Sequence, residues 1–286
     1  MRSIPTTGEP AASRSANGAS AWGAERTMDA LIPGIPWYWL IGLMLTALVA
    51  GYMDAIAGGG GLIQMPLLLL SGLAPLNVLA TNKAIALTGT ASATLRYMMD
   101  GQVAWRVVRV AALPCMLAAF LGSQLAMHTP GWLLELALLG CLVAALLVAL
   151  LVRPGGELRN GPAASRLRII ASLAPVGLYD GFSGPGTGLF MTLVKHARLH
   201  LGLLVATATT KPLNLLTNLG GVVAFIWAGT VVWELAVPMI MANMLGGWLG
   251  SRAAIRNGAR LIRPVLLGML ALLCAMTLGK FIHALP

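Results

Sequence analysis

Two aspartates and two lysines lie where a charge is hardest to keep: Asp54, Lys83, Asp180 and Lys211 each sit inside a long apolar stretch. Each aspartate comes just before a glycine-rich break, in GYMDAIAGGGGLI from Gly51 to Ile63 and in GLYDGFSGPGTGLF from Gly177 to Phe190. Each lysine follows in the next long apolar stretch of its own half, after Thr81 and Asn82 or after Thr209 and Thr210. A glycine break followed by a helix leaves backbone N–H groups unpaired at the positive end of that helix, and such an end binds anions. Glycine also lets a ligand approach the backbone closely. The chemistry this set could do is therefore the holding of a small anion, with no bond made or broken.

On this reading Gly58, Gly59, Gly60 and Gly61 line one side of the site, and Gly184, Pro185, Gly186, Thr187 and Gly188 line the other. Lys83 and Lys211 supply positive charge, with Thr81, Asn82, Thr209, Thr210, Asn214 and Asn218 as hydrogen-bonding groups. Each break is expected to draw on the lysine of its own half. Asp54 and Asp180 either orient the lysines or carry a proton, and the four charges could equally form structural ion pairs. Pro212 removes a backbone donor directly after Lys211 and is expected to kink its helix.

Other reaction types find little support. GPGTG is followed by no Gly-Lys-Ser/Thr, so it is not a nucleotide loop. No Ser/His/Asp or Cys/His nucleophile arrangement is present, and no cofactor is expected. His196 and His200 are spaced like helical metal ligands, but with Lys195 and Arg198 they read as a solvated basic face at a membrane edge. Cys115, Cys141 and Cys274 lie in apolar stretches without ligand spacing and read as packing residues.

The elements that must position these groups are membrane helices. The chain is 58% hydrophobic and 10% charged, and its mean hydropathy is +0.82. Soluble domains carry roughly 25% charged residues. The net charge of +10 comes largely from arginines in short loops, which fits cytoplasmic loops and no nucleic-acid partner. Residues 1–30 read as a disordered extension without a signal peptide. Apolar stretches follow at Pro36–Ala57, Leu62–Leu73, Leu76–Met99, Val107–Met127 and Gly131–Val152, then at Leu167–Ser183, Leu189–Val194 or slightly beyond, Leu203–Ala228, Val231–Ser251 and Val265–Leu285. Most approach the length of about 20 residues needed to span a bilayer, whereas the two that follow the glycine breaks run to about 12 at most. Trp37, Tyr38 and Trp39 read as an interfacial belt, and Glu135 and Glu234 as residues that reach water near segment ends.

Arginines cluster in three links: Arg96, Arg106 and Arg109 around Gly101; Arg153, Arg159 and Arg166; and Arg252, Arg256, Arg260 and Arg263. These links should be cytoplasmic, and the links near Gly72, Pro130 and Gly229, which hold no Lys or Arg, should lie opposite. Five passes per half then invert the second half relative to the first. The letters repeat too: Thr81, Lys83, Gly101, Val103 and Trp105 match Thr209, Lys211, Gly229, Val231 and Trp233 at a spacing of 128. The expected fold is all-α and polytopic, with two inverted repeats of about five segments: eight full transmembrane helices and two half-helices. The expected boundaries are a first repeat at 31–152, a cytoplasmic linker at 153–166 and a second repeat at 167–286. The expected partners are the lipid bilayer and a small anion, with a homo-oligomer left open.

The ordered strings GYMDAIAGGGGLI, TNKA, GLYDGFSGPGTGLF, TKPLNLLTNLGG and LGSRAAIRNGARLIRP resemble the TauE/SafE family of sulfite exporters and related permeases. The resemblance covers nearly everything from Pro36 onward. It implies a multi-pass transporter of the bacterial or archaeal cell membrane that moves sulfite or organosulfonates, with export the expected direction. It carries site roles onto Asp54, Gly58, Gly59, Gly60, Gly61, Asn82, Lys83, Asp180, Gly184, Pro185, Gly186, Thr187, Gly188, Lys211 and Asn214. Ser183 and Pro212 depart from the residues common in that family. The competing readings are an anion channel, a non-transporting subunit of a membrane assembly and an intramembrane enzyme.

Overall fold

The computed structural model of the protein describes residues 37–130 and 164–284, with side chains in the last helix through residue 272 and at 275. The N-terminal extension, the fifth apolar stretch with Glu135 and Cys141, most of the 153–166 linker and the side chain of Cys274 lie outside the described residues. Within them the chain is entirely helical. The helices are α1 (Trp37–Ala57), α2 (Gly60–Leu70), α3 (Pro75–Met99), α4 (Trp105–His128), α5 (Arg166–Phe182), α6 (Thr187–Leu199), α7 (Leu203–Trp227), α8 (Trp233–Asn257) and α9 (Ala259–Ala284). The two that follow the glycine breaks, α2 and α6, have 11 and 13 residues and are the shortest of the set.

Side chains are distributed as lipid requires. On α4, Leu113, Leu117, Leu121 and Leu125 recur every fourth residue and are all exposed, while Lys83, Lys195 and Lys211 are buried. Apolar groups face outward and charged groups inward because hydrocarbon cannot solvate a charge. By length and apolarity, α1 and α4 are each able to cross a bilayer. The long helices are not uniformly apolar: α3 and α7 each bury several threonines and a lysine, with Asn82 on α3 and Asn214 and Asn218 on α7.

Small residues let the helices cross closely, as in lipid, where packing replaces the hydrophobic effect between helices. A β-carbon on Gly177 would lie 2.8 Å from the carbonyl oxygen of Cys115, and one on Gly51 would overlap that of Asn243. Gly122 meets the Leu178 carbonyl in the same way that Gly250 meets the Tyr52 carbonyl. The crossing of α4 with α5 is thus built from the same sequence positions as the crossing of α8 with α1. Likewise Thr81 Oγ1 accepts from the Val232 amide at 3.0 Å, and Thr209 Oγ1 accepts from the Ala104 amide at 2.9 Å. These threonines cap the N-termini of α8 and α4, each from the opposite half of the chain.

The turns sort into two ends. One apolar cluster gathers Trp39, Leu73, Leu76, Met127, Val231 and Val232, beside the turns that hold no Lys or Arg. Another gathers Val103, Val107, Ile169, Leu199, Leu203, Ala254 and Ile262, beside the arginine-bearing turns. Trp39 Nε1 donates to Ser71 Oγ at 3.0 Å, so α2 ends level with the start of α1. Trp39 is therefore a packing residue, unlike Trp37 and Tyr38, which are exposed. The Arg252–Arg263 link is helical except at Gly258: α8 runs to Asn257 and α9 begins at Ala259, so these arginines sit on helix ends.

Candidate functional site: two crossed ion pairs at a junction of glycine breaks

The two glycine breaks touch. A β-carbon on Gly58 would overlap the carbonyl carbon of Gly188, and one on Gly188 would fall 2.5 Å from the Gly58 α-carbon. The Leu189 amide donates to the Gly58 oxygen at 3.0 Å, so the contact is backbone on backbone. Gly58 also has φ +80°. That left-handed conformation is one that L side chains disfavour. Gly186, with φ 78°, turns the chain into α6 from the same junction.

The helix starts are tied in place by short contacts. Asp54 Oδ1 accepts from the Gly60 amide at 3.4 Å, at the start of α2. At the other break, Thr187 Oγ1 donates to the Gly184 oxygen at 2.8 Å and the Tyr179 hydroxyl donates to the Pro185 oxygen at 2.6 Å. Gly61 lies against Pro185: a β-carbon on it would sit 3.4 Å from the Pro185 α-carbon and 3.6 Å from Asn82 Nδ2. Asp54, Gly61, Gly184 and Pro185 are each half-buried, while Gly59, Gly60 and Gly188 are buried.

The lysines cross between the halves. Lys83 Nζ is 2.7 Å from Asp180 Oδ1 and donates to Asn218 Oδ1 at 3.3 Å. Lys211 Nζ is 3.0 Å from Asp54 Oδ2 and also donates to the Asp54 main-chain oxygen. The expectation that each break draws on the lysine of its own half is corrected: each lysine serves the acid of the other half. The reason is the packing of α3 on α7, which carries each lysine across the junction. Gly221 makes room for this, since a β-carbon there would lie 2.8 Å from Lys83 Cδ.

The pairs differ in access. The side chains of Lys83 and Asp180 are 1% and 3% exposed, whereas Asp54 is 20% exposed beside a fully buried Lys211. Asp180 Oδ2 is buried with no hydrogen-bond partner among the described residues. An ammonium has three donors, and each of these lysines uses two of them in the contacts above, so one N–H of each remains for a ligand.

Of the remaining candidates, Asn82 lies against Gly61 and Asn218 against Lys83. Thr210 Oγ1 lies 2.9 Å from Thr192 Oγ1 and donates to the Ala206 oxygen, and Asn218 Nδ2 donates to Thr90 Oγ1 at 3.4 Å. Asn82 and Asn214 are each 5% exposed. Pro212 is buried within α7, which continues through it as a helix. Thr81 and Thr209 are engaged at the α8 and α4 caps.

Sequence reasoning passed over Thr90, Thr192 and a polar pair on α8 and α2, in which Asn243 Nδ2 donates to Gln64 Oε1 at 3.2 Å. Their signal was a polar side chain within an apolar stretch. It also misread α6, which continues to Leu199 with Lys195 at 0% and His196 at 2% exposure. The expected solvated basic face is reduced to Arg198 and His200, because the charged letters hid a helix buried on nearly every side. His196 Nδ1 is 2.8 Å from the Leu201 oxygen. Among the described residues no group of three or more His, Cys, Asp or Glu is placed to hold a metal ion.

Residues 43–277 match the protein family described as sulfite exporter TauE/SafE. Among curated proteins, a "Probable membrane transporter protein ORF9" of a Sinorhizobium species is 38% identical over 226 residues, which covers 78% of this chain and 86% of that one. The "Probable membrane transporter protein YfcA" of Escherichia coli K12 is 33% identical over 235 residues, covering 82% of this chain and 87% of its own. A "Probable membrane transporter protein" of Haemophilus influenzae is 33% identical over 228 residues, covering 79% and 89%. No solved structure matches.

Proposed function

This chain belongs to the TauE/SafE family of membrane transporters, and from that premise we propose that it is a secondary transporter of the cell membrane that carries a small oxyanion, sulfite or an organosulfonate, by alternating access. The observation that carries this reading is the meeting of the two glycine breaks beside two crossed lysine–aspartate pairs. An oxyanion with three oxygens can accept from the backbone N–H groups at the starts of α2 and α6 that Asp54, Gly58 and the helix turns do not hold, and from the spare donor of each lysine. Export is the direction that the family description favours.

The two halves, 31–152 and 167–286, are proposed as inverted repeats of five segments each, joined by a cytoplasmic linker. The exchange of threonine caps and glycine crossings between halves supports a two-fold relation. The sorting of arginine-bearing turns to one end supports an axis in the membrane plane. Transport would proceed by rocking of one half against the other about the junction. Asp54, partly open in this structure, belongs to the side through which the site is reached, and the sealed Lys83–Asp180 pair to the closed side.

Counterflow of labelled sulfite and a panel of sulfonates in proteoliposomes tests the function. Lys83→Ala and Lys211→Ala should each lower transport by about tenfold to a hundredfold, the worth of a hydrogen bond to a charged group. Full activity in both variants would remove the site. Flux that never saturates and cannot be driven uphill would favour a channel instead.

A cysteine placed at Arg256 tests the topology. It should react with a membrane-impermeant maleimide only after the cytoplasmic face is opened, and labelling from outside in intact cells would overturn the five-pass count.

A further inference from the structure

Lys195 stands apart from the other buried lysines. It lies on α6, two turns past the start of that helix, with 0% exposure, and its Nζ has no hydrogen-bond partner among the described residues. Lys83 and Lys211 each have an aspartate, so the two pairs are internally neutral. Met191 and Leu199, one turn before and after Lys195, pack in an apolar cluster with Cys115, Leu203 and Ala208. The ionisable groups around it on other helices include Cys115 on α4, Lys211 on α7 and Asp180 on α5, the last already taken by Lys83. On its own helix His196 follows it, bound toward Leu201. Asp54 on α1 is taken by Lys211. Among the described residues no acid balances an ammonium here, and a lone buried ammonium is strongly disfavoured.

A largely buried site whose two ion pairs are each neutral takes an anion more readily with one further positive charge. Lys195 is placed to supply it, since it is carried by the half-helix that begins at the junction, and that helix packs on α7, which carries Lys211. Among the described residues Thr207 Oγ1 on α7, one turn before Lys211, and Ser172 Oγ on α5 are also buried without a partner. We propose that Lys195 is the protonatable counter-charge of the transported anion: its amine accepts a proton from the aqueous phase as the anion enters and returns that proton as the anion leaves. Anion and proton then move together in the same direction. This rests on the anion-transport reading and adds the coupling to it.

The linkage has a definite sign. The anion-bound state holds one more proton than the empty state, so apparent affinity is highest at low pH and falls by up to about tenfold per pH unit as pH rises. The full chain in proteoliposomes is given sulfite or ethanesulfonate, the latter with a charge fixed over the range, with a pH-sensitive dye inside. Wild type should show proton flux that accompanies the anion. Lys195→Met should lower the apparent affinity by about tenfold to a hundredfold, flatten the pH profile and abolish the accompanying proton flux. Lys195→Arg, charged throughout, should bind the anion without the pH dependence.

Because the Lys195 amine is held by no internal hydrogen bond among the described residues, Lys195→Met should also melt no lower than wild type in detergent micelles. A folded Lys195→Met with wild-type affinity, pH profile and proton flux would overturn the proposal, as would a variant that melts well below wild type, which would mark Lys195 as structural. A wild-type protein that moves anions without protons would overturn the coupling and leave the transport reading intact. Absence of all anion flux in wild type would overturn both.

Discussion

Asp180→Ala is expected to destabilise the protein by about 3–5 kcal/mol, the cost of breaking a buried pair by removing one partner. It leaves the Lys83 ammonium buried with only Asn218 as a partner among the described residues. The pair is almost sealed from water, so no solvent can take over the lost contact. The double variant Asp180→Leu with Lys83→Met removes both charges together and should recover most of the melting temperature, since apolar replacement of a whole buried pair is often neutral. It should not recover transport, because the ammonium is gone. Melting in detergent and counterflow in proteoliposomes read the two effects separately. Asp54→Ala provides the contrast. Its carboxylate is 20% exposed, so water can approach the abandoned Lys211 and the stability loss should be smaller. Equal losses from Asp54→Ala and Asp180→Ala would contradict the difference in access. A double variant that stays unfolded would show that the pair is needed for packing rather than merely tolerated.

Gly58→Val should be about as damaging, by a different route. Gly58 holds a positive φ, and a side chain in that left-handed region costs about 1–2 kcal/mol. The new β-carbon would fall inside the backbone of Gly188. Overpacking of that kind adds about 1–3 kcal/mol. The two breaks could then no longer touch, and the Leu189 amide would lose the Gly58 oxygen. Loss of folded protein, or folded protein without transport, is the expected result, measured by yield of monodisperse protein and by counterflow. Gly188→Ala tests the same contact from the other side without the conformational strain and should be milder. Gly42→Ala is the control, since nothing lies within 4 Å of a β-carbon there. Helix propensity alone favours alanine at such a position. A Gly58→Val variant that folds and transports would show that the junction does not need backbone contact.

Much of this was legible in the letters. The apolar stretches foretold the long helices because lipid leaves a helix no alternative for its backbone groups. The short length of α2 and α6 followed from glycine runs on one side and turn residues on the other. The repeat of Thr-x-Lys and of Gly-x-Val-x-Trp at one spacing placed equivalent residues in equivalent helices, and the threonine caps sit where that repeat implies. The misreadings share one cause. Lys195 and His196 look like an aqueous edge when judged by type, because what buries them is the packing of α6 on other helices, α5 and α7 among them. Trp39 looks like its neighbours Trp37 and Tyr38 until Ser71, 32 residues away, takes its indole N–H.

By itself, then, the sequence determined what must be inside: four charges, two glycine breaks and the helices too apolar to stay in water. Composition and periodicity are local properties, and local properties decide solvent preference and helix formation. Which lysine meets which aspartate, and which lysine meets none, was decided by the tertiary structure alone. Ion pairing depends on contacts between residues far apart in the chain, and such contacts are chosen by how closely glycine lets helices cross. The crossing of α3 with α7 turned two apparent sets of acid, break and lysine into one shared junction, and left the amine of Lys195 without an acid among the described residues.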